Sequence, residues 1–221
     1  MKTGKVIAIL GAESTGKTTL AHTLTLELRA LGHDAAVVTE YLREFCDRAG
    51  RTPRVEEQAD IAAEQTRRIQ AAARRHDIVV ADTSAVMIAV YSDLIFDDRS
   101  LYAEALAVHR DQCDATLLTA LDLPWQADGF IRDGAHVREP VDALVRQALD
   151  SAALPYGVVC GQADARTKAA LSALQRLGLA AAPTAAEAAG EPEPAGRRWR
   201  ARCAECLVAE CEHLARNATR P

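Results

Sequence analysis

The sequence predicts an α/β fold, a parallel sheet with helices on both faces, followed by a short cysteine-rich tail. Three observations carry that reading. Five short apolar runs alternate with longer stretches of helical spacing, the order expected when each strand returns through a helix. Between the first run and the first helix lies the glycine-containing segment GAESTGKTTL. The 221 residues, 49% of them hydrophobic, are enough for one such domain with about 40 residues to spare.

Taken in order, residues 5–10 (KVIAIL) are apolar after the lysine, as a strand covered on both faces must be. Leucines at 20, 24, 26, 28 and 31 predict a helix over 17–31. HDAAVVTE is the second strand, ending at Glu40; EYLREFCDRAG reads as helix or turn, and 55–75 as one long helix with arginines on its polar face. DIVVADTS is the third strand, ending at Asp82. Residues 84–112 are helical with a break at FDDRS, and ATLLTAL is the fourth strand. DLPWQADGFIRDGAHVREP is a loop punctuated by Pro124, Gly129, Gly134 and Pro140. Helix returns over 141–152, YGVVC is the fifth strand, and 163–179 is a closing helix. Residues 1–179 thus read as one domain. The Ala/Pro/Glu-rich stretch 180–196 is a linker too poor in large apolar groups to pack, and 197–221 is a basic Cys/His tail. Parallel sheets bind ligands outside the carboxyl ends of their strands, so candidate site residues are those that follow a strand.

Composition narrows the partners. A net charge of −5 provides no global positive field for nucleic acid or an anionic membrane. No apolar run approaches the roughly 18 residues of a membrane span, and the N-terminal run enters a glycine loop directly, as in the first strand of a cytoplasmic protein. Aromatics are only 4%, so the core is aliphatic, and the scattered Cys46, Cys113 and Cys160 read as small buried hydrophobes.

Gly11 to Thr18 fits G-x-x-x-x-G-K-[ST], the phosphate loop of P-loop NTPases, in the strand–loop–helix context that the motif requires. Gly11, Ala12, Glu13, Ser14, Thr15, Gly16, Lys17, Thr18 and Thr19 are therefore the candidate ATP-binding residues. Their backbone N–H groups and the helix N-terminus cradle phosphate, Lys17 reaches the β/γ oxygens, and the Thr18 hydroxyl can ligate Mg²⁺. The only asparagine in the chain is Asn217, so the N-K-x-D guanine signature of a GTPase is absent. Asp82 is followed by Thr83 and Ser84 rather than by the second acid of a hydrolysing motor.

Asp82 fits a carboxylate that orients Mg²⁺ beside the loop, with a helix cap as the alternative role. Glu40 fits a base for an attacking hydroxyl, the alternative being a solvated strand-end acid. Arg43 is close enough in sequence to pair with it. Arg132 and Arg138, in the loop after the fourth strand, fit a lid that brings positive charge to a transferring phosphoryl group. His109–Arg110–Asp111 has the letters of a protein-kinase catalytic loop but lies in a helical pattern with no following asparagine.

Taken together, GAESTGKTTL, TEYLREF, VVADTS with Tyr91, and DLPWQADGFIRDG resemble the ribosylnicotinamide kinase domain of NadR-type proteins over residues 4 to about 178. The resemblance implies a nucleoside-kinase-like fold and Mg²⁺-dependent transfer of the ATP γ-phosphoryl to the 5′-hydroxyl of nicotinamide riboside, a small-molecule nucleoside. It implies that Glu40, Tyr41 and Arg43 line the acceptor pocket and that Asp82 lies at the metal or the hydroxyl. Trp125 would lie near the lid, either stacking on a pyridinium ring or pinning the loop, and Asp128 would offset that ring's positive charge. Two departures stand out. No H-x-x-H occurs, so adenylyl transfer is not expected, and Ser84 stands where the family more often has another acid. The competing readings are a kinase of another nucleoside or small molecule and a non-catalytic ATP-binding regulatory module.

In the tail, Cys203, Cys206, Cys211 and His213 form C-x₂-C-x₄-C-x-H, a donor set that suits a closed structural zinc site. Free or redox-active thiols and an iron cluster are the alternatives. Arg197, Arg198, Arg200 and Arg202 flank Trp199 just before it.

Overall fold

The structure is a computed structural model that describes residues 4–126 and 134–179. The readings placed on Asp128, Arg132, the linker 180–196 and the Cys/His tail lie outside those residues. Five strands, β1 (Lys5–Leu10), β2 (Ala35–Val38), β3 (Ile78–Asp82), β4 (Ala115–Thr119) and β5 (Gly157–Val159), form one sheet in the order β2-β3-β1-β4-β5, and every pair is parallel. The described helices are α1 (Lys17–Ala30), α2 (Tyr41–Ala49), α3 (Gln58–Ala73), α4 (Ala85–Phe96), α5 (Tyr102–Gln112), α6 (Arg138–Ser151) and α7 (Ala163–Arg176).

The apolar runs become strands because both faces of the sheet are covered. Ile7 and Ile9 of β1 point to one face, where they meet Leu20, Leu24 and Leu28 of α1 and Ala170, Ala173 and Leu174 of α7. Ala8 and Leu10 point to the other and pack with α4, α5 and α6, while Val6 joins Val79, Ala81 and the α3 residues Ile69, Ala72 and Ala73. Each fully buried leucine or isoleucine here stabilises the fold by about 1.5–3 kcal/mol. α4 is buried at six consecutive positions from Ala85 to Val90, so it is apolar all round rather than amphipathic. No helix of the described residues is long and apolar enough to cross a membrane.

Three boundaries differ from the sequence reading. β2 ends at Val38, and Glu40 stands at the N-cap position of α2. The long helix expected over 55–75 opens instead as one 3₁₀ turn, Val55–Glu57, before α3 begins at Gln58. The Glu57 carboxylate accepts the Arg54 N–H at 2.8 Å and both prongs of Arg51 at 2.7 Å, which tightens that turn. α6 starts at Arg138 rather than after Pro140, because a proline in the first helical turn forfeits no intrahelical hydrogen bond.

Candidate active site

The segment after β1 folds into a loop closed by two glycines in conformations that other residues avoid. Gly11 has φ +146°, and a Cβ there would stand 2.1 Å from Thr119 Oγ1 at the end of β4. Gly16 has φ +74° and starts α1 with no side-chain cap, leaving the first-turn N–H groups available to an anion. Thr15 and Thr119 share a 2.7 Å hydroxyl contact, and Thr15 also donates to Ala12 O at 2.7 Å. Lys17 Nζ donates to the Ala12 carbonyl at 2.8 Å, so its charge is held over the loop. Glu13 to Thr19 line a cavity of about 830 Å³, while Gly11 and Ala12 lie beneath the loop and not on the cavity wall.

Asp82, 2% exposed at the end of β3, accepts a 2.6 Å hydrogen bond from Thr18 Oγ1 through Oδ2. Its Oδ1 is buried with no hydrogen-bond partner among the described residues. Asp82 does not line the cavity; it backs Thr18, which does. The capping role is taken by Ser84, whose Oγ accepts the Val86 N–H at 3.3 Å at the start of α4. Thr83 between them has φ +74°, a conformation that costs a β-branched residue about 1–3 kcal/mol and that clusters at functional sites. The Ser84 hydroxyl also meets the ring of His109, 3.0 Å away at Nδ1. His109 is thus a buried residue of α5 that also meets Thr116 Oγ1 at 2.8 Å, and the HRD letters have no place at the cavity.

Glu40 and Arg43 both line the cavity, with Arg43 Nε 4.0 Å from Glu40 Oε2. The Glu40 side chain makes no hydrogen bond to cap its own helix. What fixes the start of α2 is Gln65, fully buried on α3, whose Oε1 accepts the Tyr41 N–H at 2.7 Å. Tyr41 itself does not line the cavity. Its ring is covered by the guanidinium groups of Arg68, 4.4 Å from the centroid, and Arg48, and its hydroxyl accepts from Arg48 at 2.8 Å. Arg68 also bonds Glu44 at 2.7 Å, which holds the Glu44 carboxyl below its usual range. Apolar walls come from Leu42, Cys46, Pro53, Tyr91, Ile95 and Phe96.

The segment after β4 crosses the phosphate loop. Leu123, Pro124 and Gln126 line the cavity and Trp125 does not. Ser14 Oγ donates to Gln126 O at 2.7 Å and accepts from Gln126 N at 3.1 Å. Arg138, expected in a lid over the cavity, is 8% exposed, does not line it and donates to Leu123 O at 2.8 Å, so it braces this segment from α6.

Several participants carried no sequence signal. Arg166 of α7, 5% exposed, donates to Thr15 O at 2.7 Å, to Gly161 O at 2.7 Å and to Asp122 Oδ1 at 2.9 Å. Burial pushes the Asp122 carboxyl up, but the bonds from Arg166 and the Gly161 N–H outweigh it and hold the group below its ordinary value. Gln65 and Thr119 belong with Arg166, since each bonds a residue far away in the chain, and Gln58 lines the cavity from α3.

No cluster of three His, Cys, Asp or Glu among the described residues is arranged to hold a metal ion by itself. A hydroxyl and a carboxylate with a spare buried oxygen instead suit a hard divalent cation whose remaining positions are filled by phosphate and water.

The AAA domain family matches residues 6–166, most of the chain, and the chain belongs to that family. No curated protein matches it in sequence. Among solved structures it is similar to NadR protein in complex with NAD and AMP-PNP, at 19% identity and a TM-score of 0.62 over 80% of this chain and 50% of that one. It is also similar to NadR protein in complex with NR, at 20% identity and a TM-score of 0.64 over 79% and 51%. Thymidylate kinase from Ehrlichia chaffeensis matches at 15% identity and a TM-score of 0.57, over 79% of this chain and 99% of that one. These likenesses show the fold alone, a P-loop kinase-like parallel sheet. The chain spans about half the length of the NadR structures.

Proposed function

We propose that the chain is an ATP-dependent nucleoside kinase whose acceptor is nicotinamide riboside, with nicotinamide mononucleotide as product. The observation that carries the reading is one cavity of about 830 Å³ that is lined both by a phosphate loop and by Glu40 with Arg43. That volume lies at the upper end for small-molecule sites, which suits a donor and an acceptor side by side. The sequence resemblance to NadR-type kinase domains and the structural likeness to NadR in complex with NR support the choice of acceptor.

In this reading the α1 N-terminus and Lys17 hold the triphosphate and offset its charge. Glu40 takes the proton of the 5′-hydroxyl as its oxygen bonds to the γ-phosphorus; the bond from that phosphorus to the bridging oxygen breaks, and ADP leaves. Glu40 suits the base better than Asp82, because Glu40 is a wall of the cavity whereas Asp82 is buried behind Thr18. Thr18 and Asp82 would hold Mg²⁺, which supplies charge neutralisation at the phosphate oxygens when bound. Arg43, 4.0 Å from Glu40 on the same cavity wall, is placed to orient Glu40 and to meet the acceptor.

ADP release with ATP and Mg²⁺, measured with and without nicotinamide riboside and a panel of ordinary nucleosides, tests this directly. Stimulation by the riboside, lost in Lys17→Ala, is expected. Stimulation by another nucleoside alone would keep the phosphoryl transfer and discard the acceptor; ATP binding with no stimulated release would discard the kinase.

A further inference from the structure

α3 buries two glutamines on one face, two turns apart, and they differ in a way that assigns one of them a ligand. Gln65 is structural: its Oε1 accepts the Tyr41 N–H, and it does not line the cavity. Gln58 is 2% exposed, lines the cavity, and its Oε1 is buried with no hydrogen-bond partner among the described residues. Buried amides in folded proteins are almost always bonded, so an unanswered one on a cavity wall marks where a ligand group sits. A side-chain amide offers an acceptor and a donor pair side by side, and rotation about its last bond exchanges them. The complementary group is another amide edge.

The neighbouring walls state the rest of the ligand's shape. Pro53, Tyr91, Ile95 and Phe96 line the same cavity and are apolar or aromatic, a surface on which a flat ring can lie. We infer that Gln58 reads the base of the acceptor, selecting a planar heterocycle that carries a carboxamide or lactam edge. The inference rests on the nucleoside-kinase reading but not on which nucleoside is taken. It makes Gln58 a specificity residue and gives it no part in the phosphoryl step.

The test compares wild type with Gln58→Leu, which keeps the volume and removes both polar atoms, on three pyridine ribosides and uridine. The three carry a carboxamide, a carboxylate or no substituent at the ring carbon concerned. Gln58→Leu is expected to raise KM for the carboxamide riboside by about tenfold or more, with kcat and the KM for ATP little changed. KM for the unsubstituted riboside should be the same in both proteins. Gln58→Glu, nearly isosteric, is expected to raise KM for the carboxamide in the same way and serves if the leucine variant fails to fold; a melting-temperature rise on adding ATP reports an intact loop in either. Equal KM ratios in wild type and variants would overturn the assignment while leaving the kinase standing. Turnover of uridine instead of the carboxamide riboside, lost in Gln58→Leu, would support Gln58 and overturn the nicotinamide acceptor. A wild type that binds neither amide-edged nucleoside, by calorimetry, would overturn Gln58 as the reader of the base.

Discussion

In the proposed mechanism, burial alone divides two tasks between Glu40 and Asp82. A carboxylate that removes a proton must touch the hydroxyl that loses it, and of these two only Glu40 lies on the cavity wall. Glu40→Gln should therefore lower kcat by about 10²-fold or more with little change in the KM for ATP. A steady-state comparison checks it, and retained turnover would pass the base role to another group. The place of Lys17 and Thr18 on the cavity wall was legible from sequence because the phosphate-loop motif is one contiguous stretch between a strand and a helix. Trp125 and Tyr41 were assigned to the pocket on sequence resemblance, yet neither lines it: Tyr41 is committed to Arg48 and Arg68. Ring position depends on which helix turns toward which neighbour, and local sequence does not carry that. Gln58 is the converse case, a residue of ordinary helical type whose meaning appears only when its Oε1 is found buried on the cavity wall with no partner among the described residues.

At the level of elements, α7 is tied to the phosphate loop by one guanidinium group. Arg166 bonds Thr15 O, 151 residues away, while its other prong holds Asp122 and Gly161. Arg166→Leu should cost about 2–3 kcal/mol of stability, because it leaves Thr15 O without its donor and Asp122 without its counter-charge. It should also weaken ATP binding, since the loop loses a brace. Urea melts and nucleotide titration measure the two effects, and a variant with unchanged ATP affinity would confine Arg166 to a stabilising role. The strands were readable because parallel strands covered on both faces are short apolar runs. Boundaries were less so: the α3 start depends on the Glu57 carboxylate reaching Arg51 and Arg54, a choice of rotamers rather than of residue types. The start of α6 before Pro140 depends on Arg138 finding the Leu123 carbonyl.

For the whole molecule, His109 couples folding to pH. Burial pushes its pKa down to about 4 from an ordinary 6.5, and it bridges Ser84 of the α4 cap and Thr116 of β4 as a neutral ring. Between those values the unfolded chain takes up a proton that the native state refuses. Stability therefore falls as pH drops below 6.5, by about 3 kcal/mol on reaching pH 4 from this group. His109→Gln should flatten the difference between urea melts at pH 7 and pH 4.5; an unchanged slope would remove His109 as its source. Sequence pattern announced a parallel sheet but not the order of its strands, because order is decided by crossovers that leave no local mark. That order has a consequence for synthesis. β1 and β2 are made first and are not neighbours, since β3 lies between them, Lys5 pairing with Ile78 and Ala35 with the same residue from the other side. A nascent chain must hold two apolar strands with open edges until residue 82 has emerged, and the central strand gains its second neighbour only with β4. Such delayed, long-range pairing makes folding slow and leaves the early chain open to aggregation, so the strand that leads into the phosphate loop is also the one that waits longest for its neighbours.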